Sequence, residues 1–433
     1  MRYTFYASLY CFLWVSILTR LKGFQKLTPT DDALKIWFTA LPIKKPKAVM
    51  ISLNEALDRV LAEDIIAEED LPKFDRSAVD GYALRAESTI GASQFRPKTL
   101  RITDADEIGS QQVKQVWTGN RIPKGADAVV VLEETKRTAD KIELWVSVTP
   151  SENISRKGED VKKGDIALKS GTRLKPQHLG LLAALGKAEA KVSEKPIIAI
   201  LSTGNELVEV GSKLRENAIF EVNRIVLSAL CRELGSEPLD LGIAKDDINE
   251  ITAKLKFGLE NADAIITSGG TSVGALDLVP EAINAIGKPG VIVHGIAMRP
   301  AMPTALAAVE GKPIIILSGN PVAAIVGFEV FARPLIFRML GLKKEEPRPM
   351  IKAKMTRKVT AALGRKTFVR VWVFRKNEEF FAEPVSARGS GVISTMTKAN
   401  GYVIAPKNRE GLGEGENVTV YLFDNVEAVD ENV

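Results

Sequence analysis

The sequence predicts a multidomain α/β plus β protein organised around a central parallel α/β domain. From Pro196 to about residue 343, short apolar runs alternate with amphipathic segments. That rhythm of strand, helix and strand gives a right-handed parallel sheet with helices on both faces. The stretches on either side, Thr99 to Val148 and Met350 to Phe423, carry instead β-branched and aromatic runs separated by Gly, Pro and Asp. A length of 433 residues also exceeds one compact core, since about 150 residues per domain is the usual prior.

Taken in chain order, the first 25 residues form an apolar extension, with an uncharged run from Tyr3 to Leu18 beside Arg20 and Lys22. It is short for a membrane span and lacks a small-residue cleavage site. A leader, an anchor, a start assigned too far upstream or a helix packed on a partner all fit; the expectation is a cytoplasmic protein without a membrane role. Residues 26–70, with 155–195, are expected to form an extended helical linker domain. Helical spacing is read in Leu34, Trp37 and Phe38, and again in Leu53, Ala56, Leu57, Val60 and Leu61. Residues 71–154 form a small β domain, with strands at Val116, Ala128 and Ile142. A Leu/Ala helix from Pro176 to Leu185 ends at Gly186. Residues 196–343 are the α/β domain: a strand at Ile197, a helix carrying Val222 to Leu234, a strand near Leu239, a helix from Asp247 to Glu260, and two strand-loop-helix units. The charged, proline-bearing KKEEPRP leads into the last β domain, residues 344–427, with strands in TFVRVWVF, EEFFAEPVS and VTVYLF, and then a frayed acidic tail.

The two strand-loop-helix units carry the chemistry. In ADAIITSGGTSVGALD a buried strand breaks into Gly269, Gly270, Thr271, Ser272 and Gly274, small residues that leave backbone N–H groups uncovered for an anion, and then reaches Asp277. In the second unit, Lys312 to Leu317 runs into SGNP, with Pro321 at a first helical position. Both loops are expected at the carboxyl edge of one sheet, where open α/β sheets bind ligands. Neither matches the Lys-bearing loop of ATPases or the dinucleotide fingerprint, and tight turns alone would explain them separately.

Composition closes other routes. Lys plus Arg exceed Asp plus Glu by 59 − 54 = 5, with no basic block interleaved with aromatics, so nucleic acid is not expected. Two cysteines and two histidines exclude a disulfide framework and a Cys/His zinc site. A divalent metal would need oxygen ligands, which favours Mg²⁺ bridged to substrate phosphates.

Seven motifs then occur in a known order: FDRSAVDGYA from Phe74, TGNRIPKGADAVVVLEE from Thr118, RKGEDVKKGD from Arg156, STGNEL from Ser202, SGGTSVGALD from Ser268, SGNPVA from Ser318 and GSGVISTMTKANGY from Gly389. With them, residues from roughly Leu53 to Phe423 resemble the molybdopterin molybdenumtransferase family, known as MoeA in bacteria and as the E domain of gephyrin in animals. The resemblance implies that the α/β domain is of the MogA/MoaB type and that the last domain is a β-barrel. It implies insertion of molybdate or tungstate into adenylylated molybdopterin, with loss of the adenylate and with Mg²⁺. It implies a homodimer in which the α/β domain of one subunit faces the small β domain of its mate. Expected partners are a molybdopterin adenylyltransferase and the molybdo- or tungstoenzymes that accept the cofactor. Two other readings remain: an adenylyltransferase, which shares the α/β domain but lacks the flanking ones, and a noncatalytic dimeric scaffold of the gephyrin kind.

The family's pattern assigns Asp80, Asp160, Glu206 and Asp277 to catalysis; Asp80 could otherwise be a turn former and Asp160 a solvated loop acid. A carboxylate beside phosphate-binding amides is repulsive unless a cation lies between them, so Glu206, Asp246, Asp247 and Asp277 are the expected Mg²⁺ ligands. An ordinary helix cap is the alternative for Asp246 and Asp247. Gly269, Gly270, Thr271, Ser272, Gly274, Ser318, Gly319, Asn320 and Pro321 form the expected cradle for pterin phosphate and adenylate, with Ser394 from the last domain. One departure stands out: MRPAMP, from Met298 to Pro303, replaces the family's usual KPGKP. Arg299 keeps one cation for an oxyanion, Met302 loses one, and Ala301 replaces a glycine. Ser318 stands where proline is more usual; its hydroxyl could cap the next helix or bind phosphate.

Overall fold

The computed structural model describes residues 26–43, 45–270, 278–343, 346–385 and 391–428. The chain divides into two compact units, residues 49–192 and the remainder. Among the described residues no helix is long and apolar enough to cross a membrane. The apolar run from Tyr3 to Leu18 lies outside them.

The larger unit contains the α/β sheet. Its elements are β1 (Ile197–Thr203), α1 (Asn223–Glu233), β2 (Glu237–Ala244), α2 (Ile248–Asn261), β3 (Ala264–Ser268), α3 (Leu278–Ile286), β4 (Pro289–His294), β5 (Ala305–Val309), β6 (Lys312–Leu317) and α4 (Pro321–Gly327). The sheet order is β2-β1-β3-β6-β5-β4. The first four strands pair in parallel, and β5 runs antiparallel to both neighbours. The reversal comes from a two-residue turn at Glu310 and Gly311, both at positive φ (51° and 81°), the geometry of a type I′ hairpin. β1, β3 and β6 read as continuous apolar runs because both their faces are covered; Ala199, Leu201, Ile265, Ile314 and Ile316 are all buried in one core.

The helix Thr30–Thr39 belongs to this unit. Its Trp37 is fully buried and its Nε1 donates to Ala307 O at 2.8 Å on β5. The helix Thr30–Thr39, read from sequence together with residues 49–70, thus packs on the α/β sheet. Truncating Trp37 to alanine would cost about 3–5 kcal/mol.

Downstream, strands Lys366–Lys376, Glu379–Pro384, Met350–Met355, Asn417–Leu422 and Gly401–Ala405 pair in a ring, the last returning to the first. The closed ring leaves no free edge and encloses Val371, Val373, Val403 and Val420. The short strand Met298–Arg299 pairs with Lys366 and Thr367 of the barrel, so MRPAMP lies against it.

The smaller unit holds a six-stranded sheet in the order Ala128–Val131, Gly81–Leu84, Gln112–Val116, Lys98–Ile102, Lys141–Leu144 and Thr135–Thr138. The segment from Leu53 to Leu61 does not form the helix that its apolar spacing suggests. Ser52 caps a single 3-10 turn, Leu53–Glu55, and Asp58 then adopts φ 62°. Val60 and Leu61 bridge to Arg173 and Val192. Ala56 and Leu61 are buried against Leu174, Leu182 and Val192, so the apolar spacing follows the contacts of an irregular chain. The helix Pro176–Ala184 does form, and Gly186 follows it at φ 76°.

Candidate functional site

Three strand ends meet at the carboxyl edge of the α/β sheet. Ser202 of β1 is in register with Ser268 of β3, and Ser268 with Leu317 of β6. The three loops that leave them read Ser-Thr-Gly, Ser-Gly-Gly and Ser-Gly-Asn. Gly269 is at φ 95°, and a Cβ there would stand 2.4 Å from Thr203 O; no other residue can hold this loop so close to β1. Thr203 Oγ1 is buried beside Gly269 and Gly270 and has no hydrogen-bond partner among the described residues. Gly319 lies against Gly269, whose Cα is 3.7 Å from the Gly319 Cβ position. Ser318 is buried, and its Oγ accepts from Asn320 N at 3.3 Å. It therefore shapes the turn into α4, where Pro321 takes the first position.

Glu206 follows the first loop and is exposed; its carboxylate folds back over Gly204, with both oxygens 2.7 Å from the Cβ position of that glycine. Asp246 lies in the facing turn. Asn205 N donates to Asp246 Oδ2 and Asp246 N donates to Asn205 Oδ1, both at 3.2 Å. Glu206 and Asp246 are thus brought to adjacent turns. Asp247 instead caps α2, its Oδ1 accepting from Asn249 N at 3.0 Å and Glu250 N at 2.9 Å, a contribution of about 1 kcal/mol. Among the described residues no three His, Cys, Asp or Glu side chains gather as a metal-holding group. Thr271, Ser272, Gly274 and Asp277 lie outside the described residues.

Beside this edge lies a cavity of about 620 Å³ walled by MRPAMP, the start of α4 and the barrel. Arg299, Arg357, Lys358, Arg365 and Arg370 line it, and none of the described residues lining it is acidic. Ser318 and Asn320 line it as well, so the loop after β6 belongs to both surfaces. Arg357 is neutralised by Glu383 at 3.1 Å. Arg370 is different: its Nε is buried and has no hydrogen-bond partner among the described residues, and burial pushes its pKa below the ordinary arginine value. Met302 lines the same cavity. Ser394 is exposed at the start of a one-turn helix, Ser394–Thr397. A Cβ on the nearby Gly391 would stand 3.5 Å from Asn320 Oδ1, so this segment approaches the loop after β6. Of the cavity's cations, sequence reasoning found Arg299 alone. The others sit in RK and GRKTFVR, where charge on a strand reads as a solvated face; only the pairing of Arg299 with Thr367 reveals their direction.

Asp80 and Asp160 belong to the smaller unit, beyond the paired strands Arg76–Ser77 and Ile154–Ser155. Asp80 Oδ1 accepts from Thr118 N and from Thr118 Oγ1, each at 2.7 Å. The amide first, and the hydroxyl second, hold its carboxyl below the usual range. Asp80 is therefore an ionised acceptor at neutral pH and not a proton donor. The next residue, Gly81, admits Val130 O to within 2.0 Å of where a Cβ would stand, fixing the turn that presents Asp80. Asp160 is exposed, its N–H donating to Leu71 O at 3.1 Å.

Comparison with known proteins matches residues 28–186 to the MoeA N-terminal region (domain I and II), 199–338 to the "Probable molybdopterin binding domain" and 352–423 to the MoeA C-terminal region (domain IV). A molybdopterin molybdenumtransferase of Staphylococcus aureus is 34% identical over 392 residues, covering 89% of this chain and 93% of that protein. The enzyme of the same name from Bacillus subtilis is 34% identical, covering 88% and 91%. The crystal structure of a molybdopterin biosynthesis MoeA protein from Pyrococcus horikoshii superposes with a TM-score of 0.79 at 33% identity, covering 92% of this chain and all of that one.

Proposed function

The chain belongs to the MoeA family of molybdopterin molybdenumtransferases, and on that footing we propose that it inserts molybdate or tungstate into adenylylated molybdopterin, releasing AMP in a Mg²⁺-dependent reaction. The observation that supports this most is the continuity of two surfaces suited to anions. The glycine loops after β1, β3 and β6 form one of them, and a cavity lined by Arg299, Lys358, Arg365 and Arg370, with Arg357 paired to Glu383 and no acid among the described lining residues, forms the other; Ser318 and Asn320 belong to both. A tetrahedral dianion in the cavity would lie beside a phosphate-bearing ligand on the loops. That is the juxtaposition metal insertion requires.

In this reading Gly270, Thr271, Ser272, Gly274 and Gly319 and the side chain of Asn320 present amide and hydroxyl donors to the diphosphate, while Gly269, whose amide donates to Leu317 O at 3.0 Å, shapes the loop. Arg299, Arg365 and Arg370 hold the oxyanion, and Ser394, three residues beyond the Gly391 that approaches Asn320, would contribute its hydroxyl to the cleft. Arginine suits the task because its planar fork matches a tetrahedral anion's oxygens and stays charged when partly buried. Mg²⁺ would neutralise the diphosphate and polarise the bond that breaks. Glu206 and Asp246, carboxylates on adjacent turns, would hold it together with Asp277, the oxygen donor set that this ion takes. Asp80 and Asp160, from the mate in a homodimer, would complete the cleft. An adenylyltransferase would supply the substrate, and molybdo- or tungstoenzymes would receive the product.

The test is AMP release from molybdopterin adenylate on addition of molybdate, with and without Mg²⁺. Molybdate-dependent AMP release that a chelator abolishes, and that Asp277→Ala removes while the oligomeric state is unchanged, is the expected result. ATP consumption with free molybdopterin and no reaction with the adenylate would overturn it.

A further inference from the structure

The three loops at the carboxyl edge are tied together from below by one short segment, residues 221–224. Glu221 is almost fully buried and accepts from Ser202 Oγ at 2.8 Å, from the amide of Arg224 at 3.0 Å and from its Nε at 3.1 Å. The Arg224 guanidinium, buried in turn, also reaches Asp240 at 2.7 Å and Glu209. Asn223, at 7% exposure, directs both hydrogens of its amide nitrogen to the other two loops: Nδ2 donates to Ser268 Oγ at 2.7 Å and to Gly319 O at 2.8 Å. Ser268 Oγ passes the link on, donating to Ser318 O at 3.3 Å. The ends of β1, β3 and β6 are thus joined through side chains, in addition to the sheet's own ladder. Each polar group named here has a partner, as a network that specifies one geometry requires.

We propose that Asn223, supported by Glu221, is a positioning residue that sets the spacing between the loops after β3 and β6, and so determines how well they grip the phosphates of the pterin substrate. This rests on the function proposed above. Asn223 does not face the ligand. It acts through Ser268 and Gly319: Ser268 leads into Gly269, whose amide donates to Leu317 O at 3.0 Å, and so into Gly270, and the amides of Gly270 and Gly319 are the ones this reading gives to the phosphates. A primary amide is required because both bonds use the same nitrogen as donor; aspartate has the shape but no hydrogens, and leucine has the volume but no polar atoms. Loss of the link leaves only the ladder and the weaker Ser268–Ser318 bond between the two loops, so their spacing varies more and the ordered pair must be selected when substrate binds. A cradle that grips substrate and transition state alike raises KM when loosened and leaves kcat nearly unchanged. The oxyanion cavity depends chiefly on charges from Arg299, Arg365 and Arg370 and is affected little.

The experiment compares full-length wild type with Asn223→Leu and Asn223→Asp, and with Ser268→Ala, which removes the bond from Asn223 and the weaker one to Ser318 O but keeps the bond from Asn223 to Gly319 O. Binding of molybdopterin adenylate and of tungstate is measured by titration, with KM and kcat for AMP release. The expected result is an adenylate Kd and KM raised about tenfold or more in both Asn223 variants and about threefold in Ser268→Ala, with kcat and the tungstate Kd within about threefold of wild type. An adenylate Kd within twofold of wild type in folded variants would overturn the proposal. Equal weakening of adenylate and tungstate would also overturn it, because that marks a general structural role. Should both Asn223 variants fail to fold, Ser268→Ala decides by the same criteria. Failure of wild type itself to bind the adenylate while binding tungstate removes the proposed function and this inference with it; an unchanged variant beside a binding wild type removes the inference alone.

Discussion

Replacing Arg370 with methionine is expected to remove oxyanion binding without weakening the fold. The guanidinium lines the cationic cavity, its Nε is buried with no hydrogen-bond partner among the described residues, and burial alone pushes its pKa down. Such a charge costs free energy in the empty protein, a cost that an anion offsets on binding. Two unit charges about 4 Å apart attract by roughly 4 kcal/mol at an effective dielectric of about 20. A dianion raises that figure and salt screening lowers it, so a net loss of about 2–3 kcal/mol is a fair expectation. At about 1.4 kcal/mol per decade this is roughly a 30- to 150-fold rise in Kd. Methionine retains an unbranched stem and relieves the desolvated charge, so the thermal midpoint of the empty protein stays level or rises. Titration calorimetry with tungstate at two ionic strengths, together with a melting curve, measures both. Binding within threefold of wild type, or a melting point lowered by more than about 5 °C (about 1 kcal/mol or more), would refute the assignment of Arg370 as an oxyanion ligand held at a cost to the fold.

Two further outcomes follow, one from the cavity and one from a buried histidine. Met302→Lys restores a cation to the cavity wall and is expected to tighten tungstate binding by about fivefold, near 1 kcal/mol for a partly exposed pair; the same titration checks it, and unchanged affinity would place position 302 outside the anion's reach. His294 is kept neutral by burial, its pKa lying below the ordinary 6.5. As pH falls through 6.5 the unfolded chain takes up a proton that the folded chain refuses, so stability declines below that pH and is unaffected above it. His294→Gln is expected to flatten this part of a melting-point profile between about pH 5 and 7.

Much of the α/β core was legible because its strands are short apolar runs and its helices carry their own signals. β6 runs over Lys312–Leu317 as read, and Asp247 caps a helix that begins at the next residue. The reversal at β5 was missed although Glu310-Gly311 is a two-residue loop with glycine second; the local hairpin signal was outweighed by the expectation of continued alternation. The segment Leu53–Leu61 misled for the opposite reason. Its apolar residues are spaced as on a helix, yet they are buried by an irregular chain that neighbouring segments hold in place. The loops were found because glycine after a strand is a local signature. The cationic wall was not, because Arg299 and Arg365 to Arg370 come together through pairing between Met298–Arg299 and Lys366–Thr367, a register no local pattern announces. The Asn223 link is hidden likewise, since an asparagine at a helix start reads as a cap, whereas here its side chain reaches two other strands' loops.

The most direct measurement is an anomalous difference map from crystals of the full chain soaked in tungstate. A single strong peak within hydrogen-bonding reach of Arg299, Arg365 and Arg370, beside Ser318, is the result that an oxyanion-inserting enzyme with this cavity predicts. A tungsten peak on a different surface, with the cavity filled by solvent alone, would contradict it.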